Sequence, residues 1–203
     1  MKKILPYLFL ILFVSSYGQE HQYVTVQKVM KLMGSRFEIT VVAANEEMGY
    51  INIEDAAAEI QRIERIISSW DESSETSEIN RNAGIQPVKI SSELFKLIER
   101  SKQVSEITDG AFDITFASMD QIWKFDGSMK YLPSKTEIKN SVAKVGFRKI
   151  IMNSDESTVF LEDKGMKIGF GAIGKGYAAD RAKELLISKQ VRAGIINAAG
   201  DLT

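Results

Sequence analysis

The chain begins its patterned part with two stretches in which apolar and polar positions alternate. Residues 23–31 (YVTVQKVMK) and 36–43 (RFEITVVA) are rich in β-branched side chains and read as two strands. Leu32-Met33-Gly34-Ser35 joins them as a tight, glycine-containing connection. The period then changes. Over 50–68, Ile53, Ala57, Ile60, Ile63 and Ile67 fall on one helical face, with Glu54, Glu59, Arg62 and Arg65 opposite. Residues 70–90 are polar and turn-rich, which predicts an ordered surface loop with one helical turn around Glu78. Ser91 or Ser92 is placed to cap a second helix running to about Ile107, with a core face of Leu94, Leu97, Ile98, Ser101 or Lys102, Val104 or Ser105, and Ile107. Thr108-Asp109-Gly110 ends it, glycine supplying a left-handed cap.

Residues 111–132 have no clean period. Pro133-Ser134 opens a short helix towards Val142, and 148–152 with 157–162 read as a hairpin. Met166–Phe170 is expected to be a further strand, Gly171–Gly176 a glycine-rich turn into a helix ending near Ser188, and 193–199 a last apolar strand. Hairpins and helices mix without regular βαβ alternation, so the expected fold class is α+β, with mixed or antiparallel sheets and packed helices. Strand 193–199 followed by Gly200-Asp201 reads as an interrupted chain, so the fold is expected to be incomplete at its C-terminus.

Composition narrows the chemistry. The 203 residues suffice for one sizeable domain. Lysines and arginines number 26 against 27 acidic residues, a net charge of -1, which gives no excess to neutralise a phosphate backbone and argues against nucleic acid as a partner. There is no cysteine and a single histidine, His21, so thiolate catalysis, Cys-bound metals, multi-histidine sites and a Ser-His-Asp triad drop out. Carboxylates, hydroxyls, lysines, backbone amides and an oxygen-ligated ion such as Mg2+ are left. Lys2 and Lys3, the apolar run Ile4–Val14 and the small residues Ser15, Ser16 and Gly18 have the form of a signal peptide over 1–18, leaving 19–203 as the exported body. An uncleaved N-terminal anchor is the other reading of that run. Either places the protein outside the cytoplasm, in the periplasm or on the outer face of the cytoplasmic membrane.

The sharpest local feature is Gly169-Phe170-Gly171-Ala172-Ile173-Gly174-Lys175-Gly176, placed between a strand and a helix. Such a turn exposes backbone N–H groups at a helix start and suits a phosphate or diphosphate. Gly169, Gly171 and Gly174 satisfy G-x-G-x-x-G, but far from the N-terminal βαβ position that fingerprint needs. Gly169, Gly174 and Lys175 match a P-loop except that Gly176 stands where the magnesium-binding hydroxyl belongs. Glycines serving only close helix–strand packing are the plain alternative.

A different resemblance covers nearly the whole body. Gly174-Lys175-Gly176-Tyr177-Ala178-Ala179-Asp180 resembles the KGYA-x-D signature of the ApbE family, the FAD:protein FMN transferases. Met33-Gly34-Ser35 is similar to the family's MGT element. Ser69-Trp70 followed by Ser77-Glu78-Ile79-Asn80 resembles its S-W/Y … S-x-L/I-x-x-N stretch. Thr108-Asp109-Gly110-Ala111-Phe112-Asp113-Ile114-Thr115 resembles its T-x-G-A-F-D-x-T core, and Asn197-Ala198-Ala199-Gly200-Asp201 its N-x-GGD. Five words in order between 33 and 201 make the signal specific.

The resemblance implies an ApbE-like, T-fold-related architecture and an enzyme that uses FAD and Mg2+ to move FMN onto a threonine or serine hydroxyl of a target protein, releasing AMP. Some members instead hydrolyse FAD to FMN and AMP; a non-catalytic flavin-binding fragment is the remaining reading. The acceptor expected is a flavoprotein, such as a membrane redox subunit. Carried over, Trp70 and Met33 match flavin contacts, Ala111-Phe112-Asp113 the FAD-binding triplet, Lys175 an FAD-contacting cation and Ala172 a main-chain magnesium ligand. No residue is assigned as catalytic. The sequence departs from the pattern at Gly169, where many members carry a ligand-contacting aspartate, and at Ala198-Ala199. The family's C-terminal stretch, with an aspartate and a threonine on the metal and a histidine motif, has no counterpart in these 203 residues.

Overall fold

The computed structural model describes residues 23–119, 122–123 and 127–203. The signal-peptide reading of 1–18 lies outside them. Strands β1 (Val24–Leu32) and β2 (Ser35–Ala43) form an antiparallel hairpin with Leu32 opposite Ser35. Its two central residues, Met33 and Gly34, have φ of 49° and 69°, the pair of positive values that a type I′ turn uses to match strand twist. Helix α1 (Glu46–Ile67) follows. Asn45 caps it by accepting from the Met48 N–H, and Glu46 and Glu47 face the positive helix end. The helix thus starts earlier than the apolar spacing alone indicates. Ile53, Ala56, Ala57, Ile60, Ile63 and Ile67 are its buried stripe.

The 70–90 stretch is more helical than expected. Ser74 caps α2 (Glu75–Arg81), and a two-residue strand β3 (Val88–Lys89) precedes α3 (Ser92–Ile107), capped by Ser91. The α3 stripe is Leu94, Leu97, Ile98, Ser101 and Ser105; Ile107 departs from expectation and is 80% exposed, because the chain reverses there. That reversal uses Asp109 and Gly110, both at positive φ, with the Gly110 N–H on the Ser105 carbonyl. A 3-10 turn (Ile114–Ser118), α4 (Lys135–Ser141, with a Ser134/Glu137 capping box), and the hairpin β4 (Ile150–Asn153) and β5 (Thr158–Leu161) come next. Helix α5 (Gly174–Ser188), β6 (Ala193–Ala198) and β7 (Asp201–Leu202) complete the order.

Two antiparallel sheets result, β1-β2-β6-β7 and β3-β5-β4. Helices α1 and α5 pack together, α1 against β1 and β2 and α5 against β6 and β7, and one continuous apolar core joins the layers. This is the α+β class expected. No helix among the described residues is long and apolar enough to cross a membrane.

One expected strand is absent. Met166, Ile168 and Phe170 are buried as their alternation requires, yet 166–170 joins neither sheet. Its backbone is satisfied by side chains instead. Asn80 bonds both backbone groups of Ile168, the Ser118 hydroxyl bonds both of Lys167, and the Gly169 N–H donates to the Ile114 carbonyl. A segment whose donors and acceptors are already paired gains nothing from a strand neighbour.

Glu59 and Arg62 also depart from the solvated face expected of them. Arg62 forks to Glu59 within α1 and to Glu93 on α3, and the Tyr177 hydroxyl on α5 donates to Glu93. The cluster ties three helices at one point.

Candidate functional site

Three segments converge where α1 ends and α5 begins. Gly174 permits the approach: a Cβ there would stand 2.7 Å from the Ile67 side chain. Met33 is held by its strained turn and by its N–H on the Glu64 carboxylate. Lys175 sits in the first turn of α5, a helix with no side-chain cap at its N-terminus. Trp70 comes from the loop after α1, and that loop is hydrogen-bonded at its base. The Ser68 hydroxyl accepts from the Trp70 and Asp71 N–H groups, and the Ser68 carbonyl accepts from the Ser74 hydroxyl. On this fixed support the Trp70 side chain is 87% exposed. With the residue this exposed, packing in the core does not account for its position, and its ring is open to a ligand.

Met33, Trp70 and Lys175 line one cavity of about 360 Å3 with Glu64 and Gly171. Ser69, Trp70, Phe170 and Gly171 also line a second, of about 1130 Å3, which Phe116, Trp123 and Lys167 help to form. The glycine turn therefore stands at the junction. Ala172 faces a third cavity of about 380 Å3, shared with Tyr177, Asp180 and Asp201.

The Ala111-Phe112-Asp113 triplet lies elsewhere. It lines none of these cavities, and Asp113 is engaged internally. One of its oxygens accepts from the Thr115 N–H and hydroxyl, at 2.8 and 2.7 Å, and the other from the Phe147 N–H at 2.9 Å. It caps the 3-10 turn that carries Phe116. Phe112 is partly buried against the core.

Gly169, where the resemblance led one to look for an aspartate, is buried, and a Cβ there would lie 3.1 Å from that of Ala117 and 3.8 Å from the Phe116 ring. The Phe116 ring occupies the neighbourhood a side chain at 169 would enter. Phe116 and Trp123 escaped the sequence reading because the 111–132 stretch has no period to show which rings face a cavity.

The electrostatics of the helix cluster are those of a structural tie. The hydrogen bond from Arg62 holds the Glu59 and Glu93 carboxyls below the usual range, against the opposing effect of burial. Burial, ahead of the Glu93 charge, pushes the Tyr177 phenol up to about 12. The cavity beside Ala172 carries the Asp180 and Asp201 carboxylates and the Tyr177 phenol, with the cations Lys96 and Arg100 on the same lining, and Asp180 accepts from the Thr203 hydroxyl. Among the described residues no three acidic or histidine side chains cluster as a metal cage. The two carboxylates would suit a hard cation only with phosphate and water oxygens completing its shell, and Lys96 and Arg100 suit those phosphates rather than the metal.

Known proteins match this chain over most of its length. An FAD:protein FMN transferase of Klebsiella pneumoniae is 31% identical over 143 residues, covering 70% of this chain and 45% of that protein. The crystal structure of the ApbE protein of Thermotoga maritima is 28% identical with a TM-score of 0.73, covering 87% of this chain and 57% of that one. The apo flavinyl transferase ApbE of Pseudomonas stutzeri shares the fold, with a TM-score of 0.76, 20% identity, and coverage of 90% and 58%. The chain spans about half the length of the curated relatives it matches. The ApbE family model matches residues 33–203, from the hairpin turn that fixes Met33 to the strand beyond the glycine turn, and the chain belongs to the ApbE family.

Proposed function

We propose that this chain carries the FAD-binding part of an FAD:protein FMN transferase. The observation that supports it most is the convergence of Met33, Trp70 and Lys175, from three separate segments, on one cavity beside a glycine turn and an uncapped helix start. An aromatic face, a cation and a helix N-terminus are what a flavin dinucleotide's ring and diphosphate need. Asp113 serves the site by capping the turn that carries Phe116.

In the transfer, the oxygen of a threonine or serine hydroxyl on the acceptor bonds to the FMN phosphorus. The bond from that phosphorus to the bridging oxygen breaks, AMP leaves with the electron pair, and the hydroxyl proton passes to solvent. Charge neutralisation and alignment carry such a step. Lys175 and the α5 N-terminus hold the diphosphate. The Ala172 carbonyl, with Asp201 beside it, would hold Mg2+, which when bound neutralises phosphate charge. The acceptor is a partner flavoprotein, and the signal-peptide-like pattern of 1–18 supports an encounter outside the cytoplasm.

Water taking the place of the hydroxyl makes the same site an FAD pyrophosphatase. Incubation with FAD, Mg2+ and a threonine-bearing acceptor protein separates the readings. Flavin fluorescence that stays with the acceptor through denaturing electrophoresis, with AMP released in equal amount, is the expected result. AMP release without acceptor favours hydrolysis. FAD binding without AMP under either condition rejects catalysis by this chain.

A further inference from the structure

A helix whose first turn is to receive a diphosphate must keep that turn open, and an open turn cannot be held in place by a cap. The start of α5 meets that condition. No side chain caps it, and the Lys175 and Gly176 N–H groups donate to no acceptor among the described residues. The packing behind it is smooth. Gly174, Ala178, Ala179 and Ala182 form the buried stripe down to Leu186, and Gly174 lies against Ile67. Short side chains let two helices approach closely but raise few ridges to fix rotation or slide. A directed hydrogen bond fixes both. One stands a turn into the helix: the Tyr177 hydroxyl donates to the Glu93 carboxylate on α3 at 3.1 Å. Glu93 is itself held by Arg62, at 2.6 and 2.9 Å, and Arg62 also donates to Glu59, at 2.7 and 2.8 Å. Arg181, one turn further along α5, does not share the task. Its Nε is buried without a hydrogen-bond partner, 3.5 Å from Glu93 and 3.9 Å from Glu59. Among the described residues Tyr177 therefore makes the one hydrogen bond from α5 into the cluster. Its half-buried ring lines the cavity beside Ala172 and Gly176.

We infer that Tyr177 and Glu93 are positioning residues: their hydrogen bond sets the rotation of the first turn of α5, and with it the places of Lys175 and the Ala172 carbonyl. The inference rests on the reading that this turn holds the diphosphate of FAD. The ion pairs of Arg62 supply stability and keep the Glu93 carboxylate still, and the phenol carries that fixed point to the turn. Loosening the turn leaves Trp70 and Met33 where they are, because they belong to other segments, so FAD still binds. Phosphoryl transfer depends on alignment instead, and a misplacement of about 1 Å costs roughly 100-fold in rate.

The 203-residue chain is incubated with FAD and Mg2+, with and without a threonine-bearing acceptor protein, and AMP release is followed beside FAD affinity by flavin fluorescence. Tyr177→Phe is expected to slow AMP release by about tenfold or more and to leave FAD affinity within about threefold. Glu59→Gln disturbs the cluster without touching the phenol, so it should lower the melting temperature and keep the rate within about twofold. Glu93→Gln keeps an oxygen for the phenol but loses the ion pair, so it should lose more stability than Tyr177→Phe and keep more of the rate. A merely structural role would not give that crossing of order. Rates that rank with melting temperature across the three variants overturn the inference, as does a Tyr177→Phe chain at full rate. Amide exchange at positions 177 and 178 should also quicken by about tenfold in Tyr177→Phe, with the far end of α5 unchanged. A parent chain that binds no FAD, or binds it and releases no AMP, refutes the transfer reading. Exchange then decides the anchoring by itself, and unchanged exchange at 177 and 178 overturns it.

Discussion

The side-chain amide of Asn80 hydrogen-bonds both backbone groups of Ile168, accepting from its N–H at 2.8 Å and donating to its carbonyl at 3.0 Å. One side chain from α2 thus acts as a strand partner for the segment leading into the glycine turn. Asn80→Ala would strand both groups, and each costs about 1–3 kcal/mol when left unmade. We expect a lower urea midpoint and faster hydrogen exchange at Ile168. Exchange at Ile168 that does not change would show the segment to be held by its buried side chains alone.

Trp70 should behave in the opposite way. Its side chain is 87% exposed, so Trp70→Ala is expected to change stability by no more than about 0.5 kcal/mol. FAD affinity should fall several-fold in the same protein. A large loss of stability with intact binding would make the ring a structural one.

Gly169 stands where the family resemblance led one to expect an aspartate. An aspartate there would bring its Cβ to 3.1 Å from Ala117 and set a carboxylate at a buried position beside Phe116. Gly169→Asp is expected to destabilise the fold by about 1–3 kcal/mol, as overpacking does. Ala117→Gly in the same chain should recover part of that loss in thermal melts, since it removes the crowded atom.

The Arg62 cluster sets a pH window. Glu93 and Glu59 titrate below 4.5 in the folded chain, chiefly because Arg62 bonds their ionised forms. Their contribution is complete above the unfolded value and is lost as pH falls through the lowered folded values. The stability gap between the parent chain and Glu93→Gln should therefore narrow below pH 4.5. Tyr177 adds the alkaline counterpart. Its phenol is pushed from 10.0 up to about 12, so the stability of its neutral form is lost as pH rises through that interval. Tyr177→Phe should flatten the alkaline limb of a denaturation profile and shift the acid limb less than Glu93→Gln does, since Arg62 remains the main group holding the Glu93 carboxyl down.

Asp113 divides fold from ligand. Three donors converge on it, so Asp113→Ala should cost about 2 kcal/mol or more. Thr115→Val removes one of these donors and also the acceptor of the Gly146 N–H, so it should cost a comparable amount. If FAD affinity follows stability across both variants, Asp113 acts through the turn that carries Phe116. Affinity lost without stability would mean direct contact with the ligand.

Much of this protein was legible in its residues. Alternation over 23–43, the apolar stripe from Ile53 to Ile67 and the serine cap at Ser91 are local signals, and local signals settle strands, helices and caps. Short motifs likewise settle the family, because spacing along the chain suffices to recognise it. Other features depend on residues far apart in sequence. The alternation of 166–170 marked its buried side chains correctly but could not say that Asn80 and Ser118, rather than a neighbouring strand, complete its backbone. Glu59 and Arg62 had the spacing of a solvated face until α3 and α5 closed over them. Met33, Trp70 and Lys175 were separate words until the Gly174 contact with Ile67 drew α5 against α1. Sequence determined which groups this chain owns and which local shapes they take; only tertiary packing decided which of them meet, because a cavity wall is assembled from segments that share no local periodicity.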